Sequence, residues 1–145
     1  MATFNRILVP TDFSSFADQA LEVAVRLVSD FNASLTLMHV WELPTYVYAE
    51  LTYAPIDLLT PVESAARAQL HEALAKLKKQ VPDAKAVLHG GFPPEEILRG
   101  VGDANADLIV MGTHGRRGLS HLLLGSVAER VVRTSPVPVL TIRSK

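Results

Sequence analysis

The sequence contains no cysteine, and this absence excludes several kinds of chemistry. Without thiols there is no disulfide, no thiolate nucleophile and no zinc site built on cysteine. A charge bias is also missing, because 14 lysines and arginines are balanced by 15 aspartates and glutamates, for a net charge of −1. This near-neutral balance argues against a broad surface for nucleic acid or anionic lipid. No apolar run approaches the roughly 20 residues of a membrane-spanning helix.

The length and the first residues indicate the class of protein. The 145 residues fit one domain, 1–145, because about 100–150 residues is the most frequent domain size. With a hydrophobic content of 48%, a chain of this length can bury a core large enough to be stable without a metal site or a disulfide. The start of the chain does not read as a signal peptide, because Asp12 interrupts an apolar stretch that is already too short. We therefore expect a soluble, cytoplasmic protein.

Five short runs rich in β-branched residues predict strands. They cover residues 6–9, 34–41, 85–88, 108–111 and 137–142. The first, second and fourth are almost continuously apolar, which is typical of parallel strands covered on both faces. Helical patterns separate the strands, so the sequence predicts an α/β fold with an open parallel sheet and helices on both faces.

Four helices are predicted from apolar residues spaced three or four apart. The first starts near Phe16, with Ser15 and Asp18 as a capping box, and the second carries its apolar stripe over residues 62–81. The third follows Pro93 and Pro94. The fourth covers residues 126–134, with its inward face formed by Val127, Val131 and Val132.

One connection is unusually long. Residues 42–60, which begin with Glu42 and end with Thr60, contain all three tyrosines and directly follow the single tryptophan, Trp41. Connections longer than about 12–15 residues are often binding loops, lids or disordered segments. Two interpretations remain open: a mobile crossover loop, or a lid over a ligand or a contact with a partner.

The last predicted strand has the features of a sheet edge. It runs from Val137 to Ile142, and proline at Pro138 confines it to an edge, a strand start or a bulge. The strand is apolar and has no internal charge, although exposed edges are normally protected by charge. Pairing with a second copy of the chain is the favoured explanation, and shielding by the terminal Arg143 and Lys145 is the alternative.

Two glycine clusters carry the candidate binding chemistry. Gly112 and Gly115 follow the buried fourth strand, and Gly125 with Ser126 opens the last helix. A glycine turn lets backbone N–H groups approach a phosphate, and a helix N-terminus attracts anions. Together the clusters can cradle a polyphosphate. The structural alternative is that Ser126 and Glu129 form only a capping box.

Other familiar sites are excluded by spacing. The chain has no Gly-x-Gly-x-x-Gly dinucleotide fingerprint and no Walker loop. It also lacks the Gly-x-Ser-x-Gly turn of the α/β hydrolases. The five histidines show no metal-ligand spacing, so we expect surface or packing roles for them and no metal site.

The spacing Gly-x2-Gly-x9-Gly-Ser, formed by Gly112, Gly115, Gly125 and Ser126, resembles the nucleotide motif of the ATP-binding members of the universal stress protein family. The opening residues 7–12, the approach at 106–112 and the end at 135–140 share the resemblance, which therefore covers essentially the whole chain. It implies a three-layer, Rossmann-like fold with a five-stranded parallel sheet in the order 3-2-1-4-5 and four helices. It also implies a homodimer formed through the last strand.

The implied strand order places strands one and four side by side where the winding direction reverses, which is where ligands bind in such sheets. By resemblance, Asp12 contacts the ribose and the backbone of Val40 contacts adenine. For Asp12 the alternative is capping of the following helix, a role that Ser14 could fill equally. The candidate nucleotide-binding residues are Pro10, Thr11, Asp12, Val40, Met111, Gly112, His114, Gly115, Arg116, Gly125, Ser126 and Val127.

The resemblance implies ATP, ADP or AMP as the cofactor, with Mg²⁺ as an optional companion. Arg116 and Arg117 either screen phosphate charge or are simply solvated. Efficient phosphoryl transfer needs a metal-holding carboxylate, a positioned base and charge stabilisation, and only Asp12 and His114 are candidates. We therefore expect a nucleotide-binding regulatory dimer without catalytic residues. The alternatives are an interaction module with a vestigial pocket and a weak ATP hydrolase that uses His114.

Overall fold

The computed structural model describes residues 3–42, 57, 59–114 and 124–143, in which strands and helices alternate along the chain. The strands are β1 (Arg6–Thr11), β2 (Ser34–Trp41), β3 (Lys85–Gly90), β4 (Leu108–Gly112) and β5 (Val139–Ile142). The helices are α1 (Ser15–Phe31), α2 (Leu59–Leu77), α3 (Pro93–Asp103) and α4 (Ser126–Thr134). All the strand pairs are parallel, and the sheet order is β3-β2-β1-β4-β5. The predicted fold and strand order are confirmed.

The sheet separates two apolar clusters, because successive side chains of a strand point to opposite faces. Ile7 and Val9 of β1 belong to one cluster, which α1 and α2 cover, and Leu8 belongs to the other, which α3 and α4 cover. Both faces of β1, β2 and β4 are therefore buried. This double burial explains why these strands are almost continuously apolar in the sequence. In the part of the chain that the structure describes, no helix is long and apolar enough to cross a membrane.

The helix starts differ from the predicted capping boxes. Ser14, not Ser15, is the N-cap of α1, and its hydroxyl accepts a 3.2 Å hydrogen bond from the N–H of Ala17. Gly125, not Ser126, is the N-cap of α4, so both predicted capping boxes are wrong. The inward placement of Val132 is also wrong, because that side chain is 45% exposed while Val131 is fully buried.

Helix α2 begins earlier than its apolar stripe, at a capping carboxylate. The side chain of Asp57 accepts hydrogen bonds from the N–H groups of Leu59 and Thr60 and from the Thr60 hydroxyl. The hydrogen bond from the Thr60 hydroxyl is the main cause that lowers the pKa of Asp57 below its usual value of 3.8. The cap therefore stays ionised at neutral pH and weakens only in acid.

The last strand is shorter than predicted. Strand β5 starts at Val139, so Pro138 precedes the strand, and its carbonyl accepts a 3.0 Å hydrogen bond from the N–H of Ile109. A proline at this position supplies the acceptor that the neighbouring strand needs and is not required to donate. The edge position predicted for this strand is confirmed.

Helix α3 is tied to the opposite edge of the sheet by a charged cluster. Glu96 is buried, with its carboxylate 2.9 Å from Nδ1 of His89 on β3 and 2.9 Å from Nη1 of Arg99. The other ring nitrogen of His89 lies 3.0 Å from Asp103 at the end of the same helix. Since a buried carboxylate is tolerated only when it is paired and hydrogen-bonded, these contacts explain the position of Glu96.

The two glycines of α3 predict opposite responses to substitution. A Cβ atom at Gly100 would overlap the side chain of Met38, which is fully buried, whereas a Cβ atom at Gly102 would meet nothing within 4 Å. We expect Gly100→Ala to lower the free energy of unfolding by about 1 kcal/mol, because overpacking outweighs the gain in helix propensity. Gly102→Ala, the matched control, should raise it by about 0.5–1 kcal/mol. Urea denaturation of both variants checks this prediction, and equal shifts would contradict it.

Candidate functional site

Strands β1 and β4 separate towards their carboxyl ends. They pair only at Ile7–Leu108 and Leu8–Ile109, whereas β1 remains paired with β2 as far as Thr11–His39. The strand order reverses direction at this point, since β2 lies on one side of β1 and β4 on the other. A crevice therefore opens at the position where open α/β sheets bind their ligands.

The turn between β1 and α1, residues 11–14, forms one wall of this crevice. Phe13 has a φ of 65°, a left-handed conformation that bulky residues rarely adopt. Its N–H donates to Oγ1 of Thr11 at 3.0 Å, and the N–H of Ser14 donates to Oδ1 of Asp12 at 3.0 Å. Asp12 therefore shapes the turn and Ser14 caps the helix, so the two residues are not interchangeable as helix caps.

The opposite wall of the crevice is formed where the second glycine cluster, at the start of α4, packs against the end of β4. The N–H of Gly125 donates a 2.7 Å hydrogen bond to the carbonyl of Thr113. A Cβ atom at Gly125 would lie 2.8 Å from that carbonyl oxygen, too close for any side chain. Gly125 has an ordinary φ of −62°, so glycine is needed for this close approach and not for its backbone conformation.

Gly112 also allows a close backbone approach, in this case to the start of α1. A Cβ atom there would lie 3.1 Å from the carbonyl oxygen of Phe16 and 3.3 Å from that of His114. The end of β4 and the first turn of α1 therefore pack without an intervening side chain. This packing holds the two walls of the crevice at a fixed separation.

His114 places a polar ring beside this junction. Its Nδ1 lies 3.0 Å from Oγ1 of Thr113, which is itself buried. Its Nε2 is buried and has no hydrogen-bond partner among residues 3–42, 57, 59–114 and 124–143. A buried polar atom without a partner is costly, so Nε2 is a candidate contact for a bound polar group.

The end of β2 forms the third side of the site. Val40 is half-buried and pairs with His89, and the next residue, Trp41, lies with its indole ring over Gly90. The carbonyl of Trp41 accepts a 3.0 Å hydrogen bond from the N–H of Gly91. The turn after β3 therefore closes onto the end of β2, next to the backbone of Val40.

The first turn of α4 presents backbone amides at the site. Ser126 is the first helical residue and is exposed, Val127 is half-buried, and Gly125 accepts through its carbonyl from the N–H of Glu129. The first amides of a helix have no partner within the helix and carry its positive dipole end. An anion is thus favoured beside residues 125–127.

Most predicted site residues lie at the carboxyl ends of the strands, around the crevice between β1 and β4. Pro10, Thr11 and Asp12 end or follow β1, Val40 is the penultimate residue of β2, and Met111 and Gly112 end β4. His114, Gly125, Ser126 and Val127 complete the arrangement described above. Gly115 and Arg116 lie outside the described residues, as do Arg117 and the tyrosines of the long connection.

Sequence reasoning missed two contributors, His39 and Phe13. The Nδ1 atom of His39 lies 2.7 Å from the carbonyl oxygen of Thr11, and its ring centroid is 4.4 Å from that of Phe13. His39 occupies a predicted strand, where a histidine is usually a packing residue. The only available indication was that the end of β2 would lie beside the end of β1.

The fold and the crevice define a class: a doubly wound α/β protein with its candidate ligand site at the switch point. Comparison with known proteins narrows this class. The family model described as the universal stress protein family matches residues 3–143. The chain is 34% identical to universal stress protein MJ0531 of Methanocaldococcus jannaschii, covering 97% of this chain and 82% of the relative. It is 36% identical to a universal stress protein of Thermus aquaticus, covering 97% and 99%. The chain therefore belongs to the universal stress protein family.

Solved structures agree with this assignment. The structure of protein MJ0577 of Methanocaldococcus jannaschii superposes with a TM-score of 0.82 at 28% identity, covering 99% of both chains. A universal stress protein solved in complex with cAMP superposes with a TM-score of 0.73 at 23% identity, covering 99% of this chain and 100% of the other. The superposition on the cAMP complex establishes that the two proteins share a fold.

The contact between Gly125 and Thr113 predicts a graded loss of stability. Gly125→Ala should lower the free energy of unfolding by about 1–3 kcal/mol, because its Cβ atom meets a backbone carbonyl that cannot turn away. Gly112→Ala should cost less, since its closest contact is 3.1 Å, and Gly102→Ala serves as the unhindered control. Chemical denaturation of the three variants checks the order. A Gly125→Ala variant as stable as wild type would contradict the close approach.

Proposed function

We propose that this universal stress protein is a cytoplasmic regulatory protein that binds an adenine nucleotide within one domain, residues 1–145. The observation that carries the proposal is the approach of the α4 N-terminus to the end of β4, with 2.7 Å between the N–H of Gly125 and the carbonyl of Thr113. This contact brings the start of α4, whose first amides have no partner within the helix, to the end of β4 beside the β1–β4 crevice. A family relative of the same fold binds cAMP, so this fold accommodates an adenine nucleotide.

The phosphates are proposed to lie between Gly112–Gly115 and residues 125–127. Backbone N–H groups at the start of α4 would donate to them, and the helix dipole would favour their negative charge. The buried Nε2 of His114 would supply a further donor if it carries the proton, which removes the cost of an unpaired polar atom. Arg116 is proposed to screen phosphate charge.

The nucleoside is proposed to lie across the end of β1, with adenine at the backbone of Val40. Pro10, Thr11 and Asp12 end or follow β1, and Met111 is buried in the neighbouring strand. The Asp12 carboxylate is suited to the ribose because it accepts hydrogen bonds from neutral hydroxyl donors. A carboxylate has about four acceptor positions, so a sugar hydroxyl can be added to the bond from Ser14.

Mg²⁺ is proposed only as a companion of a bound triphosphate, held by the phosphate oxygens. In the described segments, no group of three histidine, aspartate or glutamate side chains could hold a metal ion. The proposal contains no catalytic residue. The site residues bind and orient a nucleotide, and regulation would follow from the difference between the loaded and empty proteins.

Two substitutions test the nucleotide site without altering the glycine contacts. Ser126→Ala removes a hydroxyl from an exposed position and should weaken ATP binding about five- to thirtyfold. Asp12→Ala should weaken ATP, ADP and AMP and leave inorganic triphosphate unchanged, because its proposed contact is to the sugar. Titration calorimetry measures these affinities, and circular dichroism confirms folding. Wild-type protein that binds none of the three nucleotides at millimolar concentration would refute the proposal.

We further propose that the protein forms a homodimer through β5. Both β3 and β5 lie at sheet edges, but β3 carries Lys85 and His89 whereas β5 has no charged residue. An apolar edge without charges is suited to pairing with another strand. Leu140 of β5 is 38% exposed, which is a further apolar surface for a second copy to cover.

The dimer prediction is tested best at Thr141. Val139 packs against the core on the α3 and α4 side, so a charge there would also disturb folding. Thr141→Lys should give monomers by light scattering, because it places a charge in the proposed seam. Gln69→Lys adds the same charge to the exposed face of α2, which packs on β2 and β3 at the other end of the sheet. A Thr141→Lys variant that remains dimeric would locate the interface elsewhere.

A further inference from the structure

The turn that carries Asp12 depends on a strained residue. Phe13 has a φ of 65°, and left-handed backbone persists in a bulky residue only when the surrounding structure enforces it. The hydrogen bonds from Phe13 to Thr11 and from Ser14 to Asp12 are internal to the turn. Internal bonds shape the turn but do not fix it relative to the sheet.

Contacts from β2 provide that external hold, and His39 supplies two of them. Its Nδ1 lies 2.7 Å from the carbonyl oxygen of Thr11, and its ring packs against the ring of Phe13 with 4.4 Å between centroids and 41° between planes. Thr11 and His39 are also partners in the β1–β2 register. One side chain therefore holds the residues on both sides of Asp12.

The geometry determines which nitrogen of the His39 imidazole ring carries the hydrogen. A carbonyl oxygen can only accept a hydrogen bond, so a contact of 2.7 Å requires that Nδ1 of His39 carries the hydrogen and donates it to Thr11. The ring face is then aligned with Phe13 by the same bond. The hydrogen bond to Thr11 and the ring contact with Phe13 reinforce each other, because each contact holds the imidazole in the orientation that the other contact requires.

We propose that His39 is a positioning residue for Asp12. By holding Thr11 and Phe13, it keeps the left-handed turn in the orientation that directs the Asp12 carboxylate towards the sugar hydroxyls of a bound nucleotide. His39 thereby contributes to discrimination between a nucleotide and a free phosphate chain without contacting the ligand. The inference rests on the proposed nucleotide site and assigns the part of that site that recognises ribose.

The test compares three ligands by calorimetry: ATP, 2′,3′-dideoxy-ATP, which lacks the sugar hydroxyls, and inorganic triphosphate. His39→Ala should weaken ATP about tenfold and leave the other two within about twofold. His39→Asn retains a donor near the position of Nδ1, and His39→Phe retains the ring, so each should recover part of the loss. His71→Ala, on the exposed face of α2, is the matched control and should change nothing.

A double-mutant cycle separates positioning from a general effect on folding. If His39 acts through Asp12, His39→Ala should have little further effect on ATP affinity in an Asp12→Ala background, within about twofold. Amide exchange supplies a readout that needs no ligand: Phe13 and Ser14 should exchange faster in His39→Ala and not in His71→Ala. Nitrogen NMR of wild type should show the Nδ1–H form.

Each failure has its own signature. If wild-type protein binds ATP but His39→Ala weakens dideoxy-ATP equally, or its effect adds fully to that of Asp12→Ala, the positioning role is overturned while the nucleotide site stands. If wild-type protein binds no nucleotide, the proposed function fails and this role fails with it. Unchanged exchange at Phe13 and Ser14 would overturn the hold of His39 on the turn whatever the protein binds.

Discussion

The contact on which the rest of the site depends is the direct packing of backbone on backbone around the end of β4. The amide of Gly125 reaches the carbonyl of Thr113 at 2.7 Å, and Gly112 lies against the carbonyl of Phe16. These approaches bring the first turns of α4 and α1 to the same strand end. Because no side chain can intervene, both helix starts are held against the end of β4.

The opposite side of the crevice is organised by side chains and not by glycine. The β1–α1 turn holds a strained Phe13 between the hydrogen bonds of its neighbours and the ring of His39. A strained backbone conformation of this kind persists only when several surrounding contacts enforce it. The turn that they hold places the carboxylate of Asp12 at a defined position. The two walls thus differ in character: one is closely packed backbone at a strand end and a helix start, and the other is a strained turn that carries a carboxylate.

Some of the sequence predictions were correct because they depend on local chemistry. Continuous apolar runs identified the buried strands, and the range predicted for the last helix, residues 126–134, agrees with α4. The capping box of α1 was wrong because two adjacent serines could cap that helix, and the path of the chain selects Ser14. The capping box of α4 was wrong because the N-cap is Gly125, which has no side chain with which to cap. Val132 was assigned inward because the apolar pattern of a short helix allows more than one face to be buried.

The sequence by itself determined the α/β class, the family resemblance and the glycine spacing, since these follow from periodicity and from residue types at fixed intervals. The family resemblance also supplied the strand order that the structure confirms. Only the tertiary structure shows why residue 125 is a glycine. A Cβ atom there would clash with the carbonyl of Thr113, whereas the backbone angle φ is one that any residue could adopt. The tertiary structure alone joined His39 to Thr11, 28 residues away in the chain, because contacts between neighbouring strands depend on sheet register. These two residues become neighbours only when β1 and β2 pair in the sheet, which places Thr11 opposite His39.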